Sequence, residues 1–124
     1  MNLLLDTHTI LWWLAGDELD GEATTVIADA DNLVVASAVS IWEIEIKRRL
    51  GKLDVPDTLT EAIPKAGFEP LDIGFEHAAA AGRLPLHHRD PFDRMLVAQA
   101  QLEHLTVVSR DRTFERYDVP LLHC

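Results

Sequence analysis

Short, wholly apolar runs alternate along this chain with stretches whose apolar residues recur every three or four positions. Leu3–Leu5 is the first run, and it stops at Asp6. Thr7–Leu14 then reads as a helix halted near Gly16, and Glu22–Ala30 as a second. Leu33–Ala36 predicts a buried strand, after which Ser37 can cap a helix over Ala38–Leu50 that Gly51 ends. On that helix Val39, Ile41, Trp42, Ile46 and Leu50 make the expected inward stripe, with Lys47–Arg49 toward solvent. Pro56–Ala66 predicts a short helix that Pro64 should end or kink. Phe68–Ile73 predicts a strand, Phe75–Gly82 an alanine-rich helix, and Asp90–Leu102 a longer helix opened by an Asp-Pro start. Leu105–Val108 predicts a strand that runs into Ser109-Arg110-Asp111. Thr113–Tyr117 predicts a helical turn and Val119–Leu122 a last strand.

This alternation predicts an α/β fold, a three-layer sandwich around a central, mostly parallel sheet. The strands are apolar without alternation, as expected where helices cover both faces. No repeat, low-complexity tract or linker interrupts residues 1–124, so a single domain is expected. Open sheets of this kind bind ligands beyond the carboxyl ends of their strands. Asp6 directly ends one predicted strand, and Asp111 follows another.

A hydrophobic fraction of 48% over 124 residues is enough for one core. The single cysteine, Cys124, excludes an internal disulfide framework and a cysteine-based zinc site, and it suits a reducing cytoplasm. The N-terminal stretch MNLLLDTHTI has no basic leader region, and no apolar run approaches the ~20 residues of a membrane span. A formal charge of −10 repels nucleic acid at long range and excludes a simple electrostatic binder. The basic residues are nonetheless clustered. Lys47, Arg48, Arg49 and Lys52 form one group, Arg83, His87, His88, Arg89 and Arg94 a second, and Arg110, Arg112 and Arg116 a third. Basic patches beside an acidic pocket are compatible with that pattern.

Four acids carry the chemistry: Asp6, Glu43, Asp93 and Asp111. Each has a bland reading. Asp6 can cap the helix after it, Asp93 can face the dipole of a first turn, and Asp111 can make a turn. Glu43 can pair with Lys47 one turn on, although it sits beside the apolar stripe, where an acid is unusual unless paired or metal-bound. Asp90 is better read as the cap of its helix than as a ligand. If the four converged, they could not all stay ionised without a cation, and oxygen-only donors select Mg²⁺ or Mn²⁺. Such a centre leaves positions open for phosphate oxygens, the arrangement for metal-assisted phosphodiester hydrolysis. His87 and His88 read as loop residues near phosphate. Trp12, Trp13 and Trp42 read as core or dimer contacts. No phosphate-binding glycine loop, nucleophile elbow or HExxH pair is present.

The segments LLLDTHTILWWL, ASAVSIWEIEIKRRLGKL, HHRDPFDRMLVAQA and TVVSRDRTFERYDVPLL together resemble the VapC-type PIN-domain ribonuclease toxins of type II toxin–antitoxin systems. The likeness runs over nearly the whole chain, in the family's order and spacing. It implies that Asp6, Glu43, Asp93 and Asp111 are the catalytic and metal-holding acids. Asp90, Thr7 and Ser109 stand behind them as caps or supports. It further implies Mg²⁺- or Mn²⁺-dependent RNA cleavage, a homodimer, and neutralisation by a small cognate antitoxin. Arg89, Arg94, Arg110 and Lys47 are then the residues expected at the RNA backbone. Two other readings compete. A receiver or aspartyl-phosphate phosphatase also uses acids at strand ends, but His8 stands where the phosphatase type has a second aspartate, and Ser109-Arg110 where a receiver has its lysine. A non-catalytic PIN-like interaction protein would be expected to have lost one of the four acids.

Overall fold

The computed structural model describes residues 1–124. Five strands form one all-parallel sheet: β1 (Asn2–Leu5), β2 (Leu33–Ser37), β3 (Glu69–Leu71), β4 (Thr106–Ser109) and β5 (Leu121–His123), in the spatial order β3-β2-β1-β4-β5. Six α-helices connect them: α1 (Thr7–Ala15), α2 (Gly21–Ala28), α3 (Ala38–Arg49), α4 (Leu59–Lys65), α5 (Phe75–Arg83) and α6 (Pro91–Glu103). A 3₁₀ turn over Arg112–Arg116 links the last two strands.

Successive side chains of a strand point to opposite faces, and this divides the core in two. Leu3, Leu5, Val34, Ala36 and Val108 pack against Ile10 of α1, Ala23 and Ile27 of α2 and Ile63 of α4. Leu4, Val35 and Val107 face the other way, onto Val39 of α3 and Leu96, Val97 and Ala100 of α6. α5 lies outside, against α6. The three-layer α/β sandwich expected from the pattern is therefore present. The chain winds outward from β1 through β2 to β3, then returns across the sheet to β4. Its direction of winding reverses between β1 and β4, and a crevice opens there at the carboxyl ends of the two strands.

Several element bounds differ from expectation for identifiable reasons. β3 is shorter than Phe68–Ile73 and contains Pro70, which offers no N–H and fits an edge strand paired on one side only. β5 begins after Pro120 rather than at Val119, and pairs Leu121 with Val107. α4 starts at Leu59 rather than Pro56 and runs one residue beyond Pro64, and Gly67 then takes a left-handed φ of 86°. α2 stops at Ala28 rather than Ala30, and α3 at Arg49, with Leu50 as its cap.

The face of α3 is the larger correction. Its buried residues are Val39, Ser40, Glu43 and Ile44, while Trp42 and Leu50 are 59% and 62% exposed. The helix is rotated from its expected stripe so that Ser40, Glu43 and Lys47, spaced three and four residues apart, share the side facing α1 and the crevice. Lys47 consequently points into the molecule's polar crevice rather than to bulk solvent. Trp42 is not a core residue. It meets Phe92 edge-on at 5.3 Å between ring centroids. Trp13 does pack inward, against Phe68, and Trp12 lies partly buried on the same cluster.

Candidate metal centre

β1 ends where Asp6 leaves the sheet to become the N-cap of α1. Its Oδ1 accepts from the Thr9 amide at 2.9 Å, and its Oδ2 accepts from the Ser109 hydroxyl at the end of β4. The capping role and a place in the crevice thus coexist in one side chain. Glu43 comes from the second turn of α3 and is 3% exposed. Its Oε1 accepts from the Thr7 hydroxyl at 2.6 Å and its Oε2 from Lys47 Nζ at 2.5 Å. The expected pair with Lys47 exists, but it is directed inward.

Asp93 stands in the first turn of α6. Asp90 caps that helix, its Oδ1 accepting from the amides of Phe92 at 2.8 Å and Asp93 at 3.4 Å. Asp111 caps the 3₁₀ turn through the Thr113 amide at 2.8 Å, and its own amide donates to Ser109 Oγ at 2.9 Å. Ser109 therefore links the acid after β1 to the acid after β4. Asp6, Glu43, Asp93 and Asp111 all line one cleft of about 260 Å³, closed by Asp90, Thr7, His8, Lys47 and His88, with no apolar side chain among them.

Electrostatics inside this cleft are strained. Five carboxylates share it with one lysine. Burial, followed by the neighbouring charge of Asp90, pushes the Asp93 carboxyl up to about 7; Asp6 and Glu43 add to the effect and His88 opposes it. Asp111 behaves in the opposite way. Burial works to raise it, but hydrogen bonds from Thr113 and His88 outweigh that and hold it below the usual carboxylate range. The hydrogen bond to Glu43 raises Lys47 against the effect of its own burial. An oxygen-rich cleft in which one acid is driven toward neutrality by burial and by its acidic neighbours fits a hard divalent cation, which would offset both effects. Lys47 pairs with Glu43 and His88 lies against Asp93 and Asp111, so Asp6 and Asp90 are the acids of the cleft with no basic side chain in contact.

Other predicted residues fall elsewhere. Arg94 donates to the carbonyls of Ala81, Leu84 and Pro85, closing the carboxyl end of α5, where helix carbonyls lack partners. Arg110 lies over Trp12, 3.9 Å from the ring centroid, and donates to the carbonyls of Cys124 and Glu18. It cannot play the part of a receiver's lysine from there. Arg89 is exposed beside the cleft-lining pair His88 and Asp90. His8 lies on α1, within the helix expected there, and stacks on Trp12, and His87 meets Tyr117 edge-on. A larger cavity of about 540 Å³ between α1 and residues 53–62 is mostly apolar and shares only His8 with the acidic cleft.

Sequence reasoning placed His88 near phosphate without a role. In the structure its Nε2 lies 2.9 Å from Asp93 Oδ2 and 3.1 Å from Asp111 Oδ2. The available signal was its position two residues before the Asp90 cap, which holds it beside the first turn of α6.

The chain is similar in sequence and fold to known proteins. Residues 3–120 match the PIN domain family model. A stretch of 70 residues is 36% identical to Ribonuclease VapC16 of Mycobacterium tuberculosis; it covers 53% of this chain and 49% of that protein, about half its length. The fold is similar to that in VapBC2 from Rickettsia felis, a structure bound to a DNA fragment from their promoter, with a TM-score of 0.71, 16% identity, and coverage of 100% of this chain and 99% of that one. It is also similar to the DNA-bound VapBC of Salmonella typhimurium, at a TM-score of 0.69 and 18% identity, over 99% and 98% of the two chains. Matched to the PIN domain model over residues 3–120, and sharing the five-stranded parallel sheet of these structures, the chain belongs to the PIN domain family.

Proposed function

We propose that this chain is a divalent-metal-dependent endoribonuclease and the toxin of a type II toxin–antitoxin pair. The observation that carries the reading is the convergence of Asp6, Glu43, Asp93 and Asp111 on one cleft without apolar walls. The resemblance to a protein named as a ribonuclease, and the fold shared with VapBC structures, supply the substrate class and the kind of partner.

Asp6, Asp93, Asp111 and Glu43 are the residues that would hold Mg²⁺ or Mn²⁺. When bound, such an ion supplies Lewis acidity, drawing charge from phosphate oxygens and acidifying the attacking water. The chain's own residues prepare for it. Thr9 and Ser109 fix both oxygens of Asp6, and Thr7 and Lys47 fix both oxygens of Glu43. Oδ1 of Asp93 receives no hydrogen bond from the protein, which leaves it available to a ligand. Of the expected RNA-backbone residues, Arg89 is the basic group left exposed beside the cleft, since Lys47 is paired with Glu43 and Arg94 and Arg110 are committed to carbonyls. A homodimer belongs to the same proposal. Trp12 and Trp13 are partly covered within the chain, while Trp42, Leu50, Phe75 and Leu86 are among the exposed apolar residues available to a second copy.

Incubating the purified protein with RNA tests the reading. With Mg²⁺ or Mn²⁺ it should yield discrete fragments, stop on addition of a chelator, and resume when excess Mn²⁺ is restored. Cleavage indifferent to the chelator, or none at any metal concentration, would contradict it.

A further inference from the structure

His88 belongs to no element, yet it is held on all sides. Its amide donates to the Tyr117 hydroxyl at 2.9 Å, and that hydroxyl donates to the Pro85 carbonyl at 2.8 Å. Its ring meets Phe114 at 6.3 Å between centroids. The Asp90 amide donates to its Nδ1 at 3.2 Å. A donor pointing at Nδ1 requires a lone pair there, so the proton of the neutral ring sits on Nε2. Nε2–H is then directed at Asp111 Oδ2, 3.1 Å away, while Asp93 Oδ2 lies 2.9 Å from the same nitrogen. A ring that ligated a cation through Nε2 would carry its proton on Nδ1, against the Asp90 N–H. The geometry therefore makes His88 a donor to Asp111 and not a companion ligand.

Asp111 is the acid that most needs such a donor. Its side chain is 41% exposed, against 19% for Asp93, and it follows β4 on a short turn. Thr113 fixes Oδ1, and His88 is the donor that draws Oδ2 toward Asp93. We infer that, given the metal-dependent reading of the cleft, His88 is a positioning residue: its Nε2–H, oriented by the Asp90 backbone, clamps Asp111 beside Asp93 so that both carboxylates meet one divalent ion. Asp90 thereby serves twice, with its side chain capping α6 and its amide setting the ring.

Calorimetric titration of Mn²⁺ into the purified protein tests this without reading activity. His88→Ala should weaken Mn²⁺ binding ~10–100-fold, the range seen when a partner of a metal ligand is removed. His88→Met, which fills the ring's space without a donor, should lose as much. His88→Gln places an amide N–H where Nε2–H stood and should bind within about threefold of wild type. In an Asp111→Asn background His88→Met should cost less than about threefold, because the two residues act through one contact. Wild-type affinity in His88→Met, equal losses in Gln and Met, or full additivity with Asp111→Asn would overturn the role while leaving the metal centre in place. Should His88→Ala fail to fold, the Met and Gln pair decides alone. Failure of the wild-type protein to bind Mn²⁺ would overturn the metal centre and the positioning role together.

Discussion

Asp93→Asn and Asp6→Asn should each lower RNA cleavage by at least about a hundredfold, the scale expected if the charge removed is one that holds the proposed catalytic ion. Both variants stay folded. Asparagine keeps the size of aspartate, and at position 6 its Oδ1 can still accept from the Thr9 amide, so the cap of α1 survives. At position 93 the substitution removes a charge that burial and Asp90 already disfavour. Initial rates on RNA at saturating Mn²⁺, paired with far-ultraviolet circular dichroism, check both halves. Near wild-type cleavage in either folded variant would remove that residue from the centre.

The second large effect is on stability, and its sign follows from Asp93. In the metal-free protein its carboxyl is raised to about 7, above the ordinary aspartate value of 3.8 that the unfolded chain has. Between those values the folded state binds more protons than the unfolded state, so stability falls as pH rises through this window. The loss is on the order of 2–4 kcal/mol and complete above pH ~7. Asp111 acts in the other direction and elsewhere: its lowered pKa contributes stability that disappears only as the solution becomes more acid than ordinary aspartate titration. Thermal melts of metal-free protein should therefore show a lower Tm at pH 8 than at pH 5. Mn²⁺ at a hundred times its Kd should restore about 2.7 kcal/mol at pH 8. Asp93→Asn should melt higher than wild type at pH 8 without metal, and gain far less from Mn²⁺. A wild-type Tm that is flat from pH 5 to 8 and indifferent to Mn²⁺ would contradict this account of the cleft.

Much of this was legible in the chain because caps, strand ends and ligands coincide. Asp6 and Asp111 stand where apolar runs stop, and a parallel sheet places such residues in the crevice. Asp90-Pro91 announces the start of α6, which fixes Asp93 in its first turn. The face of α3 was misread because hydrophobic patterning assumes that polar residues point outward. Here Ser40 and Glu43 point in and Trp42 points out, a local reversal of the rule beside the acidic cleft. Arg94 and Arg110 were assigned by charge alone. The carbonyls that hold them lie at α5's end and at residues 18 and 124, contacts that only the folded chain brings together. His88 was hidden for a related reason: its role depends on the amide of Asp90 and on a carboxylate more than twenty residues away.

Anomalous diffraction at the manganese edge from crystals soaked in Mn²⁺ is the most direct test of whether these carboxylates share an ion. The account predicts a strong peak in the cleft at the carboxyl ends of β1 and β4, coordinated by oxygens from at least three of Asp6, Glu43, Asp93 and Asp111. A cleft without a peak at saturating Mn²⁺, or a peak ligated by none of these residues, would contradict it.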